Sequence, residues 1–477
     1  MKKRNILPFA LLLAVASLVV SCLDNDSTEY TYTDDTAITA FSVGTLNVYG
    51  HATSSKGEDS IYKTTVDCSA YNFYIDQTTR TIYNVDSLPY GTDASKVVCT
   101  ISTKNSGSVV IKSMTSDSLG YYYSTDSVDF SQPRVFQVFS NSAQASRQYT
   151  VHVNVHQEKA DSFGWTVMTD PSFLPTLESL RAVCFDGRLY VFGKKGAATA
   201  LYSTADGHTW KDLTAAIGHT LTADAYLGVV AGEDAMYLWD ATTGSVLSTT
   251  DGDTWTATAT SADLIRLVAV SPAGLYAYAV GGGIVVSTDG GATWQTSALD
   301  SDASLLPTED LSTVTLPLST NKQAWRVLLI GNRDYTAYPT DKSAYVWGKI
   351  DETADYSYQQ SWAWYPVDTL STWTAPRMRY MQAFAYDDAL YATGGQSTDG
   401  RVTNMKSFYR SNDGGISWEK DTLLSLPSDV SILVSEHYAV TVDKNNYVWF
   451  VDAGAGHVWR GRLARLGWRK EQTVYNE

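Results

Sequence analysis

Cysteine is scarce in this chain: four residues in 477, with no Cys-x-x-Cys pair. A zinc site of that type is therefore not indicated. Charge is scarce too, at 18% of residues, and basic residues fall short, with 35 Lys and Arg against 51 Asp and Glu for a formal charge of −16. A body of that sign repels nucleic acid and anionic lipid, so neither is expected as a partner. The common catalytic signatures are missing. Gly-x-Ser-x-Gly, His-Glu-x-x-His and a phosphate-cradling Gly-x-x-x-x-Gly-Lys do not occur, and Gly281-Gly-Gly283 leads into strand-like residues rather than a helix. No cofactor, metal or catalytic residue is assigned. Glu233, Asp234, Asp387, Asp388 and Glu436 are carboxylates that a glycoside-hydrolysing pair would need, but linear order cannot test their separation. Asp387-Asp388 reads more simply as a turn between two strands.

What the chain has in place of these is a repeated turn ending in tryptophan. Ser287-Thr-Asp289-Gly-Gly291-Ala-Thr-Trp294 and Ser411-Asn-Asp413-Gly-Gly415-Ile-Ser-Trp418 are full copies. Thr204-Ala-Asp206-Gly207-His-Thr-Trp210 and Thr250-Asp251-Gly252-Asp-Thr-Trp255 are one residue shorter after the Asp-Gly step. Copies spaced by tens of residues are the mark of an array or propeller. Within each copy the Asp is expected to accept backbone N–H bonds, the Gly to supply positive φ, and the Trp to return an apolar ring to the core.

Upstream of each turn lies a strand led by Gly or Asp, such as Asp186-Gly-Arg-Leu-Tyr-Val-Phe-Gly, and the series continues at Tyr386–Gly395 and Asp443–Val451. The spacing predicts six blades, at 181–217, 224–262, 267–300, 321–369, 380–423 and 432–468. The fourth is expected to have lost its Asp turn while keeping Trp364. Phe163-Gly-Trp165 is expected to complete the last blade beside Val458–Arg462, closing the ring without an exposed edge. The fold class is all-β: a small Ig-like β-sandwich over 36–157, then a six-bladed propeller over 163–470.

The N-terminus predicts location. Met1-Lys-Lys-Arg4 is basic, Ile6–Val20 is apolar, and Val19-Val-Ser-Cys22 ends the stretch, as in a secretory signal spanning 1–21 that is too short to cross a membrane. Cys22 matches the position of the lipidated cysteine in a bacterial lipobox; a plain signal peptide with a chance Cys is the alternative. The acidic tether 22–35 begins with Leu23-Asp-Asn-Asp26, which resembles the surface-export signal of Bacteroides-type lipoproteins, or else is a solvated linker. An outer-membrane, surface-exposed, lipid-anchored protein follows. In the sandwich, Cys68 and Cys99 have the option of pairing, Cys184 reads as a small hydrophobe, and His152 and His156 read as a polar strand face.

The lipobox, the Leu88-Pro-Tyr-Gly-Thr-Asp93 turn, the Tyr149-Thr-Val-His-Val segment and the Arg462-Leu-Ala-Arg-Leu-Gly-Trp468 ending together resemble an uncharacterised family of outer-membrane lipoproteins from Bacteroides-type bacteria. That family implies no activity. The tryptophan turns are similar to the Asp boxes of bacterial sialidases, xyloglucan hydrolases and sortilin-like receptors, and Leu390–Gly395 to a kelch repeat; both resemblances imply fold rather than function. A sialidase would also carry Arg-Ile-Pro and an arginine trio. The nearest segment, Arg181-Ala-Val, departs at both following positions, and Arg266, Arg326, Arg377 and Arg379 show no order as a clamp.

The expected function is binding of a glycan or a surface protein. The candidate surface is the fourth blade, where Trp362, Trp364, Tyr365 and Trp373 crowd, with Arg377 and Arg379 behind. The competing reading makes Trp364 the closing residue of its blade and the rest a small core. A carbohydrate-active hydrolase using the axial pocket, and a scaffold in a surface complex, are the alternatives.

Overall fold

The computed structural model describes residues 31–53, 59–260, 262–318, 320–353, 360–366, 373–397, 407–427, 430 and 437–465. Cys22, the signal segment and Glu436 lie outside them. The chain divides into two units, 1–157 and 158–477.

In the first unit, a three-stranded sheet (Ile38–Val43, Val97–Thr103, Ser127–Val128) and a six-stranded sheet share one apolar core. Phe41, Val43 and Cys99 from one sheet, and Ile82, Phe136, Val138, Tyr149 and Val151 from the other, are buried in it. The alternation of Ser146–His152, with Tyr149 and Val151 inward, is the half-buried pattern expected of such a layer. Two strands were not legible in sequence: the long hairpin Thr45–Thr53 and Asp59–Asp67, whose polar composition hides it. Cys68 and Cys99 are both buried and both free, so the disulfide option is not taken. Cys99 Sγ instead lies 3.5 Å from the Tyr122 hydroxyl.

The second unit is a ring of six four-strand blades. Their innermost strands are Ser179–Phe185, Val230–Ala231, Leu264–Ser271, Glu309–Leu318, Gln382–Tyr386 and Tyr438–Val442. The Gly- or Asp-led segments seen in sequence are the second strands. They are apolar without interruption because each blade is covered on both faces; Leu189–Phe192, for example, is buried throughout. Six apolar clusters of described residues lie between successive blades, the one that joins blades 6 and 1 including Trp449, Val451, Leu189 and Val191. The ring closes through Ser162–Val167, which pairs antiparallel with His457–Ala464 and sets Trp165 opposite Gly461. The fourth blade differs from expectation. Its inner strand is Glu309–Leu318, and Asn321–Asn332, expected to open the blade, is its second strand. With Ser, Thr and Pro interrupting its apolar positions, and a bulge between Glu309 and Ser312, the inner strand gives little periodic signal.

Candidate functional site

The inner strands enclose an axial cavity of about 260 Å³. Aliphatic residues line it (Val183, Val230, Val270, Val314, Val440), together with Thr313, Thr315, Gln382, Thr441 and Cys184, and most of the surface it exposes is polar. Burial pushes the Cys184 thiol well above its usual range, so it lines the wall as a neutral group. The hydroxyls of Thr313 and Thr315 donate to Val268 O and Val270 O, which fixes their orientation. Gln382 is also a lining residue, and its amide has no protein partner among the described residues. Among the described residues, no Asp or Glu lines the cavity.

Arg181 lines this cavity near the end where the inner strands begin, and Arg266 lies beside it. Arg181, on the first blade, donates from Nη1 to Leu227 O at 3.1 Å and to Leu311 O at 3.3 Å. Leu311 belongs to the fourth blade, opposite the first in a ring of six, so this side chain reaches across the axis. Arg266, on the third blade, donates from Nη2 to Thr308 O at 2.6 Å and lies over the Tyr278 ring at 5.8 Å. The same two stretches of backbone, 227–228 and 308–311, therefore hold both side chains: Arg266 Cβ is 3.4 Å from the position a Cβ on Gly228 would take. Burial, and then repulsion from Arg266, lower Arg181 to about 10. Burial also lowers Arg266, with Tyr278, Glu309 and Asp310 opposing that shift. Both remain charged at neutral pH, and neither makes an ion pair with a described residue.

Two residues on the same rim hold left-handed conformations: Asp310 (φ 49°), at the bulge near the start of the fourth blade's inner strand, and Tyr380 (φ 57°), just before the fifth's. The Asp310 carboxylate accepts from Asn332 Nδ2 at 3.0 Å and from the Tyr335 hydroxyl at 2.7 Å. The Tyr380 carbonyl accepts from the Tyr438 hydroxyl.

The aromatic patch expected on the fourth blade is not a surface. Trp362 is fully buried, edge-on to Tyr276 with ring centroids 5.2 Å apart. It fills the core between blades 3 and 4, so no ring face is open to a sugar. Trp364 is half-buried and stacks on Tyr345 at 6.2 Å, as the closing residue of its blade. Tyr365 is half-buried, packed over Gly348. Of the four aromatic residues only Trp373 is exposed, at 60%, and Arg379 is exposed too. Arg377 is fully buried: its guanidinium donates to the carbonyls of Arg333 and Tyr338 and lies 4.3 Å from the Tyr335 ring centroid, pinning the 333–341 loop. Arg379 covers the same ring at 4.7 Å. Arg181 and Arg266 were visible as arginines, but only ring closure brings them together.

The four tryptophan turns share a bonding scheme. Asp206, Asp251, Asp289 and Asp413 each accept backbone N–H bonds from residues two to four positions on. These bonds hold Asp206 and Asp251 at about 2, and the Thr293 hydroxyl and N–H hold Asp289 there too. The hydroxyl that matters most precedes the Asp by two. Thr204, Thr249, Ser287 and Ser411 each donate to the Asp and accept the turn glycine's N–H, at 2.7–2.9 Å. Extra length also matters. In the two full copies the indole N–H of Trp294 and Trp418 donates to Gly291 O and Gly415 O at 3.0 Å; in the short copies Trp210 and Trp255 have no such bond. Each turn glycine then seats on the preceding blade: Gly207 on Trp449, Gly252 on Tyr190, Gly291 on Val246 and Gly415 on Val346.

A family model described as the DUF6242 beta propeller domain matches residues 159–471, and one described as the DUF6242 N-terminal domain, a domain of unknown function, matches residues 41–153. No curated protein sequence matches the chain. Similar solved structures include YCF48 bound to D1 peptide, 15% identical, covering 63% of this chain and 96% of that one at a TM-score of 0.33. A streptogramin B lyase is 10% identical, with coverage of 63% and 98% and a TM-score of 0.36. A Trypanosoma rangeli sialidase is 11% identical, with coverage of 66% and 59% and a TM-score of 0.36. At these identities no ligand or chemistry passes to this chain.

Proposed function

The chain belongs to the DUF6242 family, which both of its domains match, and on that premise we propose that it is a lipid-anchored surface protein that captures a glycan at the axial mouth of its propeller. Cys22 supplies the anchor and the acidic tether the surface address, with an Ig-like domain following in the chain. The observation that supports capture at the axis is the cavity itself, which combines a mostly polar surface with aliphatic side chains, Gln382 and the Arg181 guanidinium. Such a mixture suits a polar ligand with apolar ring faces.

The test uses the mature chain from residue 23, which lacks the lipidated cysteine, on a panel of acidic and neutral glycans. Retention and newly formed sugar ends are read from the same samples. Retention without new ends is expected, and Gln382→Leu should weaken it. New sugar ends would replace capture with catalysis. For the anchor, Cys22→Ala should release the protein from membranes; persistent attachment would remove the lipid from the proposal.

A further inference from the structure

We infer that Arg181 and Arg266 form an anion subsite at the axial mouth, which selects a carboxylate-bearing saccharide over its neutral counterpart. The inference rests on capture at the axis and adds the class of ligand.

The geometry supports it in three ways. The two guanidiniums are held by backbone carbonyls, not by carboxylates, so their positive charge is uncompensated by ion pairing while their orientation is fixed. Arg181 spends only Nη1 on its two carbonyls, and Arg266 only Nη2; each keeps Nε–H and the other terminal nitrogen for a ligand. A planar fork with two free donors matches a carboxylate in the bidentate manner. The second support is burial. Both side chains are only partly exposed, and like charges at such a site repel; an anion between them would relieve that repulsion on arrival. The third is local strain. Asp310, in its left-handed conformation, turns its carboxylate to Asn332 and Tyr335 on its own blade. Glu309 and Asp310 are the acidic groups nearest Arg266 on the strand packed against it, and neither closes an ion pair with it. Gln382, at the start of its own inner strand and so at the same end of the cavity, would meet the hydroxyls of the same sugar.

The experiment measures binding of glucuronate-terminated and glucose-terminated oligosaccharides, and of polyglutamate, to the whole mature chain at low and high salt. The acidic saccharide should bind at least about tenfold more tightly than the neutral one, the scale of a charge-assisted bonded pair. Salt should weaken the preference. Arg266→Gln should abolish it and leave the ligand-free melting temperature equal or higher, since one of two repelling cations is gone. Arg181→Gln removes a bridge across the axis and risks the fold, so Arg266→Gln decides. Arg266→Lys should recover only part of the preference, because the charge stays and the fork is lost. Equal binding of acidic and neutral saccharides, unchanged in Arg266→Gln, would overturn the subsite and leave capture standing. Silence toward every glycan would overturn capture itself. Arg266-dependent binding of polyglutamate alone would overturn the saccharide assignment in favour of an acidic protein.

Discussion

Replacing Gly291 by Ala should cost more than replacing its neighbour Gly290, and the difference isolates how a turn docks on the preceding blade. Both glycines have positive φ, 71° at Gly290 and 99° at Gly291. For an L-residue that conformation costs about 1–2 kcal/mol. Space separates the two sites. A Cβ at Gly290 meets nothing within 4 Å, whereas one at Gly291 falls 2.6 Å from Cγ2 and 2.8 Å from Cβ of Val246. Val246 is fully buried in the core between blades 2 and 3, so it has no solvent to turn toward. Forcing a methyl into such a contact adds about 1–3 kcal/mol. Gly290→Ala should therefore cost about 1–2 kcal/mol and Gly291→Ala about 2–5 kcal/mol. Urea unfolding followed by tryptophan fluorescence measures this cleanly, because all 14 tryptophans lie after residue 157 and report only the propeller. Val246→Ala in the Gly291→Ala background should recover part of the loss, a coupling that a double-mutant cycle reads directly. Equal midpoints for the two glycine variants, or no coupling to Val246, would refute the docking argument.

Acid should loosen the tryptophan turns in a defined window. Asp206, Asp251 and Asp289 are held at about 2 when folded, below the usual 3.8 of an aspartate, so their stabilisation is complete above about pH 4 and lost as pH falls toward 2. An acid titration of Asp289→Asn should be flatter than wild type across that window; a parallel profile would count against it. Trp362→Ala should destabilise the propeller by about 3–5 kcal/mol, while Trp373→Ala, exposed at 60%, should stay within about 0.5 kcal/mol. Glycan retention lost in Trp373→Ala with an unchanged melting temperature would restore the fourth blade as the binding surface. Truncation of 158–167 removes the strand paired with His457–Ala464 and should leave an open, association-prone edge, visible as oligomers in sizing chromatography. A monomer with wild-type stability would mean that closure contributes nothing.

Much of the fold was legible because its signals are local. Asp289 bonds residues within four positions of itself, and the run Leu189–Phe192 is apolar because both faces of its blade are covered. The inner strand Glu309–Leu318 escaped because a bulge and scattered polar residues erase its period. The fourth-blade patch misled for a related reason. Trp362, Trp364 and Arg377 are close in sequence, but strand alternation and interblade packing send Trp362 into the core and Arg377 into a cage of carbonyls. The turns also do more than sequence implied. Their hydroxyls at Thr204, Thr249, Ser287 and Ser411 sit upstream of the Asp, and their glycines contact a blade whose residues lie tens of positions away.

By itself the sequence determined that this protein is an all-β chain with a repeated, self-bonded turn, because those interactions close within a few residues and leave a periodic trace. Only the tertiary structure decided which side chains share the axial mouth. Arg181 and Arg266 are far apart along the chain, and what brings them together is the closing of six blades around an axis, a condition satisfied by the strand Ser162–Val167 and by no local pattern.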